Sequence, residues 1–272
     1  MRRKVFLLSF RLRLNERSSL HPSTRLGLDI MKLRNKYFIL RHGQTIHQTK
    51  KKDFIYPSEA KAKKTSFSSL PSLLLRKSSV GGKARRNKFL LPSRLRLDER
   101  MFFDYPPFPE SPPIKLTKKG QKQIKVVAKK LKKSGIDLIF SSDFFRTRQT
   151  AKIVAEGLNK RIHFDKRLRD VNLGIYRGGP KRDFYRDFPI HSKNRFNKKP
   201  PKGESWRDCQ KRMLNFLKDI DKRFKGKTIL IISHGDPLWL LEGAVKNWSL
   251  GKLLKIKSGK IGIIKTGEFR KL

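Results

Sequence analysis

The sequence predicts an α/β fold with a mostly parallel central sheet, and three observations carry that prediction. Short apolar runs alternate with stretches whose apolar residues recur at helical spacing, the pattern of strand–helix–strand units. Several of the runs end abruptly in small polar clusters: Arg41-His42-Gly43, Ser141-Ser142 and Ser233-His234-Gly235. In sheets of this kind ligands bind beyond the carboxyl ends of the strands, so these clusters fall where a binding site is expected.

The elements follow in order. Tyr37–Leu40 is a short apolar run that reads as a buried strand. Thr117 can cap a helix whose Ile124, Val127, Ala128 and Leu131 share one face, and Gly135 is its stop signal. Leu138–Phe140 is the next strand. A helix from about Arg146 carries Ala151, Val154, Ala155 and Leu158. Ile162–Phe164 is a further short strand. Ser205 opens a long helix with Cys209, Met213, Phe216, Leu217 and Ile220 on its apolar side. Thr228–Ile232 is a buried strand, Pro237 can open another helix, and Ile261–Ile264 reads as the last strand.

Two segments depart from this pattern. Phe6–Arg17 (FLLSFRLRLNER) and Phe89–Arg100 (FLLPSRLRLDER) match at nine of twelve positions. Two copies this far apart do not make a solenoid. Residues 1–30 hold six arginines and one lysine, whereas lysine dominates later. The reading is a non-core N-terminal extension over 1–30 and a low-order insertion at about 58–104. The core domain, 31–272, then starts near Met31. Basic, apolar-poor stretches do not offset their ordering entropy. The alternative is that both pieces are ordered amphipathic elements packed on the core. An Arg- and Ser-rich start also resembles a transit peptide, but targeting does not explain a second copy.

Composition bounds the function. With 68 Lys and Arg against 22 Asp and Glu, the 272-residue chain has a formal net charge of +46. Such a field draws anionic partners, small phosphates and nucleic acid alike. Nine lysines crowd Lys115–Lys133 on the polar side of a helical pattern, which also fits a plain lysine-rich surface. No apolar run approaches a membrane span. The single cysteine, Cys209, allows no internal disulfide, so a reducing, cytoplasmic setting is expected. Cys209 sits in a helical apolar stripe and reads as packing. His47, His163 and His191 lack partners at metal-ligand spacing. No Walker loop or dinucleotide fingerprint is present.

Four patterns then line up: Arg41-His42-Gly43-Gln44-Thr45, Ser141-Ser142-Asp143 with Arg146, Gln149 and Thr150, Arg167-Leu168-Arg169-Asp170, and Ser233-His234-Gly235. In order and context they resemble the histidine phosphatase superfamily, over about residues 36–240. Leu116-Thr117-Lys118-Lys119-Gly120 and Gly203-Glu204-Ser205 are further landmarks of that resemblance. It implies a three-layer α/β/α, phosphoglycerate mutase-like architecture. It also implies a phosphohistidine intermediate on His42, with neither metal nor cofactor. Arg41 and Arg146 would hold phosphate oxygens with planar N–H forks. His42 would be the nucleophile. His234 would donate to the phosphoryl group. Gly43 and Gly235 would let phosphate approach the backbone. Asp170 would protonate the leaving alkoxide and then activate water.

Two positions depart from the family pattern: Asp170 stands where many relatives have Glu, and Gln48 where a phosphate-contacting Asn is common. Competing structural roles stay open. Asp170 could pair with Arg167 or Arg169, Arg146 with Asp143, and Glu204 could serve the first turn of the helix after it or contact bound phosphate through its neighbourhood. The expected function is a metal-independent phosphatase of small phosphorylated metabolites. The alternatives are a bisphosphoglycerate-dependent phosphoglycerate mutase and an inactive scaffold that binds nucleic acid.

Overall fold

The structure, a computed structural model, describes residues 32–49, 113–189, 192–259 and 262–272. The expected extension (1–30) and insertion (58–104) lie outside them.

Five strands form one sheet in the order β3-β2-β4-β1-β5: β1 (Lys36–Arg41), β2 (Leu138–Ser141), β3 (Ile162–Phe164), β4 (Thr228–Ser233) and β5 (Phe269–Lys271). The first four are parallel, and β5 runs antiparallel along β1. Alternation in the strands sends side chains to two cores. Ile39, Phe140, Ile229 and Ile231 pack with one set of helices, and Leu40, Ile139, Leu230 and Ile232 with the other. The result is the expected α/β/α sandwich.

The described helices are α1 (Ile46–Thr49), α2 (Lys118–Leu131), α3 (Phe145–Leu158), α4 (Lys181–Asp187), α5 (Trp206–Arg223), α6 (Gly235–Val245) and α7 (Leu250–Gly259). Helices α2 and α3 cover one face of the sheet, with Ile124, Val127, Ala128 and Leu131 buried as their spacing predicts. The Thr117 hydroxyl accepts from the Gly120 amide at the N-terminus of α2. Gly135 takes the left-handed conformation at φ 61° beyond its far end. Helices α5 and α6 cover the other face. A reciprocal Ser205–Asp208 capping box opens α5. Asp221 near its C-terminus accepts from the Arg34 backbone N–H, the Asn35 amide and the Tyr37 hydroxyl, each at 3.0 Å. That network pins α5 to the start of β1.

The structure corrects three readings. The last strand is Phe269–Lys271, and residues 262–264 are irregular. Ile264 is buried, but its carbonyl accepts from Arg41 instead of from a strand. Helix α6 begins at Gly235, two residues before Pro237. Helices α4 and α7 have no counterpart in the sequence reading. Each buries a single side chain, Phe184 in α4 and Leu253 in α7, so neither has an apolar stripe to read. No helix among the described residues is long and apolar enough to cross a membrane.

Candidate active site

The parallel register assembles the site. Arg41 pairs with Ser233 and Leu40 with Ile232 across β1 and β4, and Ser141 faces Ile232 from β2. The three polar clusters therefore leave the sheet side by side. The His42 amide donates to the Ser233 carbonyl at 3.2 Å, which holds the two histidine loops together.

His42 is 4% exposed, and its Nδ1 lies 2.9 Å from the Gly43 carbonyl. A carbonyl only accepts, so Nδ1 carries the proton and Nε2 keeps its lone pair. Burial, then the Arg146 and Arg41 charges, hold its pKa well below the usual imidazole value. The ring is therefore neutral at pH 7.

His234 is fully buried, edge-on to His42 with ring centroids 5.3 Å apart. Its pKa is also held well below normal, by burial first and then by Arg146. Its Nε2 lies 3.0 Å from the Ser142 hydroxyl. A hydroxyl donating there places the ring proton on Nδ1. That nitrogen has no hydrogen-bond partner among the described residues and lies 3.7 Å from Asp170 Oδ2.

Arg146, 1% exposed, donates from Nη2 to Asp170 Oδ2 at 3.0 Å. The backbone N–H of Val171 holds the other carboxylate oxygen at 3.0 Å. The competing pairings resolve differently from those considered in the sequence. Asp143 takes Arg169, Arg167 takes Asp165 and Asp219, and Asp170 takes Arg146.

Arg41 donates from Nη1 to the Ile264 carbonyl, and its buried Nε has no partner among the described residues. Its guanidinium crosses bare Gly235, where an added Cβ would lie 3.1 Å from Cζ. Gly235 thus makes room for the arginine. Gly43 is packed closely from the helix side. Its amide donates to the Thr150 hydroxyl, and an added Cβ would meet Ile124 at 2.8 Å, so its bareness serves packing on α2. Gln48 lines the cavity, with its side-chain oxygen committed to the Thr45 amide at 2.9 Å.

These groups open into a cavity of about 250 Å³. Arg41, His42, Gln48, Arg146, Asp170 and Gly235 line it, and buried His234 lies against His42. Its lining also includes residues that the sequence does not single out: Arg195, Trp206, Asp236 and Lys257, with Asp236 ion-paired to Lys257. No spacing signal marks them, because they come from four separate segments of the chain. Glu204 was also read differently. It precedes the cap of α5 and grips Arg212 at 2.6 Å, and Arg212 donates to the Asp170 carbonyl. Together they support the loop that carries Asp170. Cys209 is fully buried in the core, where desolvation raises its thiol pKa. Among the described residues no group of three or more His, Cys, Asp or Glu side chains could hold a metal.

Residues 108–268 match the model of the histidine phosphatase superfamily (branch 1). Phosphoserine phosphatase 1 of Hydrogenobacter thermophilus is 29% identical over 147 residues, 50% of this chain and 69% of that protein. A probable phosphoglycerate mutase GpmB of Yersinia enterocolitica is 32% identical over 130 residues, 46% of this chain. The chain spans only 60% of that relative's length. Among solved structures, Bacillus stearothermophilus YhfR superposes with a TM-score of 0.57 at 21% identity, over 87% of this chain and 90% of that one. A mycobacterial glucosyl-3-phosphoglycerate phosphatase gives 0.56 at 18% identity, over 87% and 89%.

Proposed function

Because the chain belongs to the histidine phosphatase superfamily, we propose that it hydrolyses small phosphomonoesters through a phosphohistidine on His42. The observation that carries this reading is the state of His42: neutral, with Nδ1–H tied to the Gly43 carbonyl, Nε2 left with its lone pair, and the Arg146 and Arg41 charges acting on the ring. A lone pair beside fixed cations is what attack on a phosphate dianion requires.

In the proposed reaction Arg41 and Arg146 bind the phosphoryl oxygens, and His234 donates from Nδ1 to a third. The Nε2 lone pair of His42 forms the P–N bond as the P–O ester bond breaks. Asp170 gives its proton to the departing alkoxide. That proton enters with the substrate as its monoanion, and Arg146 moves its hydrogen bond from Asp170 to the phosphate as the carboxylate accepts it. A water molecule then attacks phosphorus, Asp170 takes its proton, and the P–N bond breaks to release phosphate and restore His42. Gly43 and Gln48 take supporting roles, shaping the His42 loop.

Hydrolysis of p-nitrophenyl phosphate in the presence of EDTA tests the reading. Wild-type turnover is expected to survive the chelator. His42→Ala is expected to lose activity by a factor of about 10⁴ or more, as nucleophile removal does. Comparable turnover by the variant would sink the covalent route.

The GpmB relative's name supports a second reading, a phosphoglycerate mutase. A mutase would return the phosphoryl group to a phosphoglycerate acceptor, so interconversion of phosphoglycerates outrunning phosphate release would favour it.

A further inference from the structure

A second cavity, of about 210 Å³, adjoins the loop that carries Asp170, and its lining shares only that residue with the cavity of His42. Four cations line it against two carboxylates. Most of this charge is already matched. Arg212 holds Glu204 at 2.6 Å, Arg169 is paired with Asp143, and Asp170 with Arg146. Lys166 and Arg177 are left over. The side chain of neither has an ion pair or hydrogen bond among the described residues. Lys166 is exposed and Arg177 is half-buried. The turn that presents Arg177 is fixed from both sides. The Arg177 amide donates to the Gly174 carbonyl at 3.1 Å, and the Ile175 amide to the Pro201 carbonyl at 3.1 Å. A guanidinium does not deprotonate in a protein. Two uncancelled positive charges therefore line one concavity, where the field is focused.

We propose that this cavity is an anion site separate from that of His42, taking a tetrahedral dianion of the size of inorganic phosphate between Lys166 and Arg177. The two unmatched charges balance a dianion. Arg177 offers a planar fork to two oxygens, and Lys166 a point charge to a third. The 210 Å³ is about the share of seven water molecules in liquid, room for phosphate with a few waters. Arg212, which donates to the Asp170 carbonyl, lines the same cavity. A bound anion therefore sits against the loop that carries Asp170.

This site does not rest on the phosphatase reading, and its test reads binding. Titration calorimetry with inorganic phosphate is run on the full chain. The wild type is expected to bind a second phosphate per chain besides the one at His42. Replacing Lys166 and Arg177 together (Lys166→Ala, Arg177→Ala) should weaken that second binding by about a hundredfold, since each charge-assisted contact contributes about tenfold or more. Lys125→Ala with Lys129→Ala removes the same charge from the exposed face of α2. At 0.15 M salt, screening should hold the effect of that pair below about threefold. Unchanged phosphate binding in the Lys166 and Arg177 variant, or equal weakening by the two pairs, overturns the site. Should the wild type bind phosphate only where Lys166 and Arg177 are needed, the site stands and the phosphate-binding role of the His42 cavity falls.

Discussion

At the scale of single residues, Asp170 carries the sharpest question. Its carboxylate bonds to Arg146 at 3.0 Å and lies 3.7 Å from His234, so it belongs to the site whichever role it plays. Leaving-group dependence separates the roles. If Asp170 is the general acid, Asp170→Asn should cut kcat/KM on an alkyl phosphate by about a hundredfold or more. It should cut kcat/KM on p-nitrophenyl phosphate far less, because nitrophenolate departs without a proton. Equal losses on both would mean that Asp170 only positions Arg146. Residue identity and order made His42, Arg41, Arg146 and His234 legible in the sequence. The pairing of Asp170 was not legible, because two nearer arginines, Arg167 and Arg169, look like its partners until the fold gives them Asp165 and Asp143.

At the scale of elements, the first turn of α2 is built against the loop that follows the proposed nucleophile. The Thr117 amide donates to the Gln44 carbonyl at 2.9 Å, and the Thr117 hydroxyl reaches the Gln44 side chain at 3.0 Å. Gly120 permits this approach, since a Cβ there would lie 2.2 Å from the Gln44 carbonyl oxygen. Backbone oxygen cannot step aside as a flexible side chain can. Gly120→Ala is therefore expected to destabilise the protein by about 1–3 kcal/mol, the range for overpacking. It should also lower activity by displacing the His42 loop. Chemical denaturation reads the first effect, and an unchanged midpoint would contradict the close packing. The helices with a clear stripe, α2, α3 and α5, are legible in the sequence, and their expected starts fall within a residue of those observed. The short α4 and α7 were not, because tertiary contacts of one buried side chain each stabilise them.

At the scale of the whole molecule, the excess of positive charge acts over distance. The chain carries a net charge of +46, and the cavity itself is lined with cations. Association of a phosphorylated substrate should be steered by that field. Raising ionic strength from 0.01 to 0.15 M shortens the screening length from about 30 to 8 Å. kcat/KM is expected to fall several-fold over that range while kcat changes little. A flat profile would confine the charge to solubility or to another partner.

The sequence alone determined the alternation of strands and helices, the face that each long helix buries and the order of the polar clusters at strand ends. Those features depend on residues close together in the chain, where periodicity and capping act. Only the tertiary structure decided which carboxylate meets which arginine, that Gly43 serves packing while Gly235 makes room for Arg41, and that β5 closes the sheet beside β1. It alone brought Arg195 to the cavity that holds His42. Most such facts depend on contacts between residues distant in the chain, from 24 positions apart for Arg146 and Asp170 to 223 apart for Arg41 and Ile264. Local propensity carries no record of them, because burial and charge matching are settled only when the sheet assembles.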